Sequence, residues 1–208
     1  MLQIQIEVIR LFTESDFEIF DDPTLSGRMA GIRARIDPKF EALAPKVIKG
    51  LSLAQAIYPH IAKHLRRHKN PPMNTWIAFS TNPRGYKMMP HLMIGFWDDR
   101  LFVWLATLAE AKERQKMIAR WEALLPKLTE LSGNYQISPN HTAKSYRDLT
   151  PAGLIAQLNH YRRVQQADFM VGKQWFRGDN IFLQPAQVQS ELLRVSIELR
   201  PIFAELIK

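Results

Sequence analysis

His60, His64 and His68 recur at every fourth position, and Lys63, Arg66, Arg67 and Lys69 are interleaved with them. Two kinds of chemistry suit such a set. Guanidinium and ammonium groups bind phosphate or carboxylate oxygens, the guanidinium in a bidentate way. Imidazoles spaced i, i+4 share a helix face and can ligate a metal, with His91 as a further donor. The metal reading fares worse, because the stretch offers no carboxylate, no HExxH pattern, and several cations that would oppose a divalent ion. No metal and no cofactor are therefore expected. His64 and His91 are instead candidate acid–base groups beside a bound anion, kept neutral by neighbouring positive charge. For His91, next to Pro90, a packed and hydrogen-bonded histidine is the competing reading.

The candidate ligand-binding residues are Lys63, Arg66, Arg67, Asn70, Arg84, Tyr86 and Lys87. The cations would hold an anion, and Asn70 and Tyr86 would supply hydrogen bonds. Trp76, Tyr86, Trp97 and Trp104 could stack on nucleic-acid bases. Aromatics alternating on strands ordinarily fill a core, so only Tyr86, beside a turn, is expected to be free for stacking.

The distribution of charge singles out the same region. The 208 residues carry a formal net charge of +8, from 28 Lys and Arg against 20 Asp and Glu. Between Glu41 and Asp98 there is no acidic side chain, while eight of the cations lie there: Lys46, Lys49, Lys63, Arg66, Arg67, Lys69, Arg84 and Lys87. The rest of the chain is formally neutral. A surplus confined to one stretch suggests an anionic partner, either a small molecule or nucleic acid, more than general solubility does. The absence of cysteine excludes disulfides, thiolate metal sites and cysteine nucleophiles, and makes a reducing cytoplasm the expected location. The N-terminus lacks a signal peptide's pattern and no window is apolar enough to span a bilayer, so no membrane partner is expected.

These residues need elements to position them. Thr13 and Asp16 form an N-cap pattern opening a short helix with Phe17 and Phe20 on its apolar side, stopped by Asp21-Asp22-Pro23. Leu25, Met29, Ile32 and Ile36 recur at helical spacing until Asp37-Pro38, and Phe40, Leu43 and Val47 continue a shorter pattern. Pro59 suits the first turn of a helix and Asn70-Pro71-Pro72 forbids continuation, which predicts a basic helix over 59–69. Residues 75–108 read as a three-stranded antiparallel meander, with Asn82-Pro83-Arg84-Gly85 as a type I turn. A five-residue turn at 81–85 would pair Thr75 with His91 and place Pro90 inside the middle strand, where it would need a bulge. Arg84 would then lie ~15–20 Å from His91, too far for one small ligand to touch both. A long helix over 110–131 with Pro126 inside it, a loop over 132–142, a helix from Pro151 to about 166, a strand at 168–176 and a final helix from Pro185 complete the chain. The expected fold is a single α+β domain, a meander plus one later strand packed by N-terminal, central and C-terminal helices. Residues 1–11 read as an extension.

The run YPHIAKHLRRHKNPPMNTWIAFSTNPRGYKMMPHLMIG resembles the signature of the YktB-like family, a group of uncharacterised bacterial proteins. The shared features are an AKH-RR run, an NPP-TW run, an RGYK turn and a PH--IG strand, with weaker likeness at DFEIF, GRM and DPKFEAL. The resemblance implies a compact cytosolic α+β protein and brings no activity, cofactor or catalytic residue with it. His68-Lys69 departs from the family pattern, which weakens a three-histidine metal site further. Whether the protein is an enzyme stays open. Binding of a phosphorylated or otherwise anionic ligand between helix 59–69 and hairpin 75–97 is the leading expectation. Nucleic-acid binding through the same surface is the alternative, and an interaction protein without a ligand is the third reading.

Overall fold

The computed structural model describes residues 12–65, 67–131 and 133–208; the expected N-terminal extension and Arg66 lie outside them. Among the described residues, seven strands form one antiparallel sheet in the order β1-β2-β3-β4-β7-β5-β6. They are β1 (Tyr58–Ile61), β2 (Asn74–Ser80), β3 (His91–Trp97), β4 (Arg100–Thr107), β5 (Gln136–Ser138), β6 (Arg147–Asp148) and β7 (Phe169–Phe176). The expected meander is β2-β3-β4, and the expected late strand is β7. Five α-helices accompany them among the described residues: α1 (Leu25–Gly31), α2 (Asp37–Leu51), α3 (Arg114–Thr129), α4 (Pro151–Arg163) and α5 (Pro185–Leu206). The α+β class read from the sequence is the one observed.

Helical boundaries follow local chemistry where the sequence signals are strong. Residues Glu14–Asp21 form a 3-10 helix, and the Asp16 carboxylate accepts a hydrogen bond from the Thr13 N–H at 2.8 Å. The Thr150 hydroxyl caps α4 by accepting from Gly153 N–H at 3.0 Å, with Pro151 in the first turn. Asp37-Pro38 does not end a helix as expected. A π-helical turn, Ile32–Ile36, joins α1 to α2 without a break. The wider turn leaves room for the pyrrolidine ring of Pro38 and makes no use of its missing N–H.

The sheet is buried on both faces. On the first face Ile77, Phe79, Leu92, Ile94, Phe96, Leu101, Val103 and Leu105 merge with the apolar sides of the helices in the main core. On the second, Ala78, Met93, Phe102, Trp104, Ala106 and Met170 make a smaller core with Trp97 and Leu108, against which Trp76 and Tyr86 pack. Loops cover this second face. Asp168, 1% exposed, fastens them: its carboxylate accepts from the Ala109 and His141 backbone N–H groups and from His141 Nδ1, at 2.8, 2.7 and 2.6 Å.

Three expectations about the region of interest are overturned. The helix over 59–69 does not form among the described residues: residues 58–61 are an edge strand paired with β2, and the Ala62 N–H donates to the Trp76 carbonyl at 2.9 Å before the chain turns away. That bond makes 62, 60 and 58 the inward-bonded positions, so the nitrogen of Pro59 faces the free edge, where no ladder donor is needed. The hairpin register also differs. Ser80 pairs with His91 and Thr75 with Phe96, so the connection is a ten-residue loop, 81–90, and Pro90 precedes the strand without any bulge. Lastly, residues 136–138 of the expected loop over 132–142 are strand β5, which pairs with β7.

Candidate functional site

Loop 81–90 begins as the sequence indicated. The Gly85 N–H donates to the Asn82 carbonyl at 3.4 Å and the Arg84 N–H to the Asn82 side chain at 2.9 Å, leaving Arg84 exposed at the turn. The loop then folds back over the second face of the sheet. Tyr86 settles beside β1 and β2, where its hydroxyl accepts a hydrogen bond from Trp76 Nε1 at 3.0 Å. The Met88 carbonyl accepts from Lys112 N–H at 3.0 Å, and His60 Nε2 donates to the Asn82 carbonyl at 2.9 Å. Each of these bonds ties the loop to a different segment, which holds its position from several sides.

The segment after β1 makes the opposite wall. His64 adopts a left-handed conformation, φ 50°, and the Arg67 N–H closes a tight turn onto the His64 carbonyl at 2.9 Å. His64 Nε2 and Thr75 Oγ1 share a hydrogen bond at 3.2 Å, and the imidazole stands edge-on to Trp76 at 5.8 Å and 85°. Leu65, at the turn, is 75% exposed.

Between these walls lies an open groove of about 750 Å³ lined by Lys63, His64, Leu65, Arg67, Trp76, Tyr86, Lys87, Met88 and Glu110. Trp76 and Tyr86, half-buried, make its floor, and Leu65 and Met88 are its exposed apolar members. Lys63 and Arg67 have no ion-pair partner among the described residues, and Lys87 lies 3.6 Å from Glu110. Two further clefts adjoin it. One, of about 630 Å³, shares Tyr86, Lys87 and Met88 and adds Arg84 and Lys112. The other shares Lys63, His64, Leu65 and Arg67 and adds Arg33, Leu25 and Met29 from the helical side. Elsewhere some cations are paired, Lys39 with Asp16, Arg177 with Asp21, and Arg194 with Glu191 and Glu198, while others such as Arg147 and Arg200 have no ion-pair partner among the described residues.

The structure brings five of the candidate residues together, Lys63, His64, Arg67, Tyr86 and Lys87, and puts Arg84 in the adjoining cleft. Asn70 is exposed and lines none of the three. His91 is fully buried in β3, edge-on to the Tyr86 ring at 4.9 Å, and it too lines none of them. Its Nδ1 donates to the Met89 carbonyl at 2.7 Å, which leaves the Nε2 lone pair buried and without a partner. Burial pushes the His91 pKa down to about 4, with His141 and His60 adding to the effect and the Met89 carbonyl and Asp168 opposing it. His64 is also pushed down to about 4, chiefly by burial and then by Arg67. Burial and Glu110 raise the Tyr86 phenol, against the bond from Trp76, so it stays protonated at neutral pH. The histidines have separate partners, and no group of three His, Asp or Glu suited to a metal occurs among the described residues.

Sequence reasoning placed Trp76 in the core and Leu65 on the apolar stripe of the expected helix, and it gave no role to Met88, Glu110, Lys112 or Arg33. Trp76 is half-buried because the edge strand β1 is short and leaves its indole at the margin of the sheet. An unbroken acid-free stretch containing Leu65 and Met88 was the available signal for those two. Nothing local marks Glu110 or Arg33, which reach the groove only through the tertiary fold.

Fold and groove together define an α+β protein with a seven-stranded antiparallel sheet and a cation-rimmed aromatic groove near one edge. The chain belongs to the family described as a domain of unknown function, DUF1054, whose model matches residues 12–203. Similar bacterial proteins carry the name UPF0637 protein. One from Lacticaseibacillus casei is 42% identical, covering 95% of this chain and 98% of its own. One from Levilactobacillus brevis is 40% identical over 95% and 99% of the two chains, and one from Listeria innocua 37% over 92% and 95%. The YktB-like resemblance of residues 58–95 is thereby confirmed over most of the chain. No helix among the described residues is long and apolar enough to cross a membrane.

Proposed function

We propose that this protein binds a phosphorylated or otherwise anionic ligand in the groove between residues 62–67 and loop 81–90. The observation that carries the reading is the convergence of Lys63, Arg67 and Lys87 on one aromatic-floored groove, two of them without an ion pair among the described residues. Three cations face one carboxylate, Glu110, which pairs with Lys87 alone, so Lys63 and Arg67 repel each other and a bound anion offsets that cost. Lys63 and Arg67 grip the anion, Lys87 exchanges Glu110 for it, and Arg84 reaches extended ligands from the next cleft. Arg66 and Asn70 remain in the proposal as flanking contributors. His64, neutral and at the groove wall, is the group able to exchange a proton with a ligand. His91 acts from beneath Tyr86, so any part it takes in proton transfer runs through that ring's position. A reducing cytoplasm fits a chain without cysteine.

Nucleic acid is the second reading, and the continuity of the three clefts favours it. They line up cations from Arg33 through Lys63, Arg67 and Lys87 to Arg84 and Lys112. Salt separates the two, because a protein that neutralises many phosphates loses affinity steeply as salt rises. The test is a thermal-shift screen of nucleotides, sugar phosphates, polyphosphate and short RNA and DNA at two salt concentrations. At least one anion should raise the melting temperature, and Arg67→Ala should lower its affinity roughly tenfold, in line with loss of a charge-assisted hydrogen bond. Stabilisation by none of them, with Arg67→Ala and Arg84→Ala without effect, overturns both readings.

A further inference from the structure

We infer that the groove recognises a nucleoside phosphate unit, a flat heterocycle joined to a phosphate, and not a bare anion. The inference rests on the anion-binding reading above and narrows it. A bare anion uses only the cations. The groove also holds four apolar or aromatic side chains that such a ligand would leave untouched: Leu65, Trp76, Tyr86 and Met88. Two of these are exposed to water at cost, Leu65 by 75% and Met88 by 45%. They stand on opposite loops, so a flat apolar group lying on the floor between them would cover both.

The floor is fixed before any ligand arrives. Trp76 Nε1 is spent on the Tyr86 hydroxyl, so the indole offers its ring and no hydrogen-bond donor. His64 holds Trp76 from the side, and His91 holds Tyr86 from below. Rings locked by their neighbours lose little entropy when a base stacks on them. Lys63 and Arg67 lie on the Leu65 side, where a phosphate attached to the stacked group would project. Glu110 is the one carboxylate lining the groove and can accept from an exocyclic amine once Lys87 turns to phosphate. The volume of about 750 Å³ suits a mononucleotide, small-molecule sites running roughly 300–1,000 Å³. An anionic lipid also joins charge to apolar surface, but these apolar groups line a concavity and do not project together as an inserting face would.

The test compares adenosine 5′-triphosphate and adenosine 5′-monophosphate with adenosine, ribose 5-phosphate, pyrophosphate, a short single-stranded RNA and phosphatidylglycerol vesicles. Binding is read by tryptophan fluorescence and thermal shift. The nucleotides should bind at least roughly tenfold more tightly than ribose 5-phosphate or pyrophosphate, as expected for one stacked base. Leu65→Asn, at a site too exposed to affect folding, should weaken nucleotide binding severalfold and leave pyrophosphate unchanged. Arg67→Ala should weaken both. RNA that binds and loses affinity in Leu65→Asn supports the same unit read within a polymer. If pyrophosphate or ribose 5-phosphate binds as tightly as the nucleotides, or if Leu65→Asn has no effect, this inference fails while the anion-binding reading stands. Binding to vesicles without binding to nucleotides also overturns it, and binding to nothing removes both.

Discussion

At the scale of single residues, the two histidines assigned to acid–base work are neutral at physiological pH for a reason the sequence only half supplied. Neighbouring cations were expected to depress them, and Arg67 does act on His64, but burial is the larger cause at both. His91 turns this into a stability effect. Its pKa in the folded protein, about 4, lies below the ordinary histidine value of 6.5, so between those values the unfolded chain binds the proton more readily. Its contribution is complete above pH 6.5 and is lost as pH falls toward 4, at ~1.4 kcal/mol per unit and on the order of 3 kcal/mol in all. The groups facing it are Tyr86, His60, His141 and Asp168. Asp37 works the other way, since burial and Glu41 raise it to about 6 and its contribution is lost as pH rises through that value. Comparison with a variant isolates His91. Urea denaturation of His91→Asn, which keeps a donor toward the Met89 carbonyl, should show a flatter loss between pH 6.5 and 4.5 than the parent. Parallel curves would exclude His91 as the source.

At the scale of elements, the meander, β7 and helices α3, α4 and α5 were legible because their apolar spacing and caps are local signals. Residues 58–61 were not. Tyr-Pro-His-Ile suits the first turn of a helix by proline position, yet the same proline suits the outward position of an edge strand, and the β2 ladder decided between them. Pro59 accordingly does a different job from helix initiation. It removes the donor that the free edge would otherwise offer to another strand. Pro59→Val should leave the fold intact and promote self-association, visible as a concentration-dependent rise in mass by light scattering. A variant that stays monomeric at all concentrations would assign the edge's protection to other features. The hairpin register was lost for a similar reason. A turn motif at 82–85 reads locally as the hairpin's end, but Tyr86 is drawn to Trp76 and Met88 to Lys112, so the loop continues to residue 90.

At the scale of the molecule, buried strands and exposed loops are sharply divided. Every residue of β3 and β4 is buried, whereas residues 67–70 and Pro83, Arg84, Lys87 and Met88 are exposed. Amide hydrogen exchange should therefore be slowest in β3 and β4 and fast in 63–65, 68–70 and 81–90. A nucleotide in the groove should slow both loops together, since it touches both walls. Protection of one loop alone would place the ligand elsewhere. The sequence by itself determined the family, the α+β class, the main strands and helices, and the confinement of the surplus positive charge to residues 42–97, because composition, periodicity and capping are written in neighbouring residues. Only the tertiary structure decided that residues 58–61 are a strand, that loop 81–90 folds over the sheet, and that Lys63, Arg67 and Lys87 share an aromatic groove with Glu110. Those outcomes depend on ladder register and on contacts between segments distant in the chain, and no local pattern encodes which partner a segment will meet.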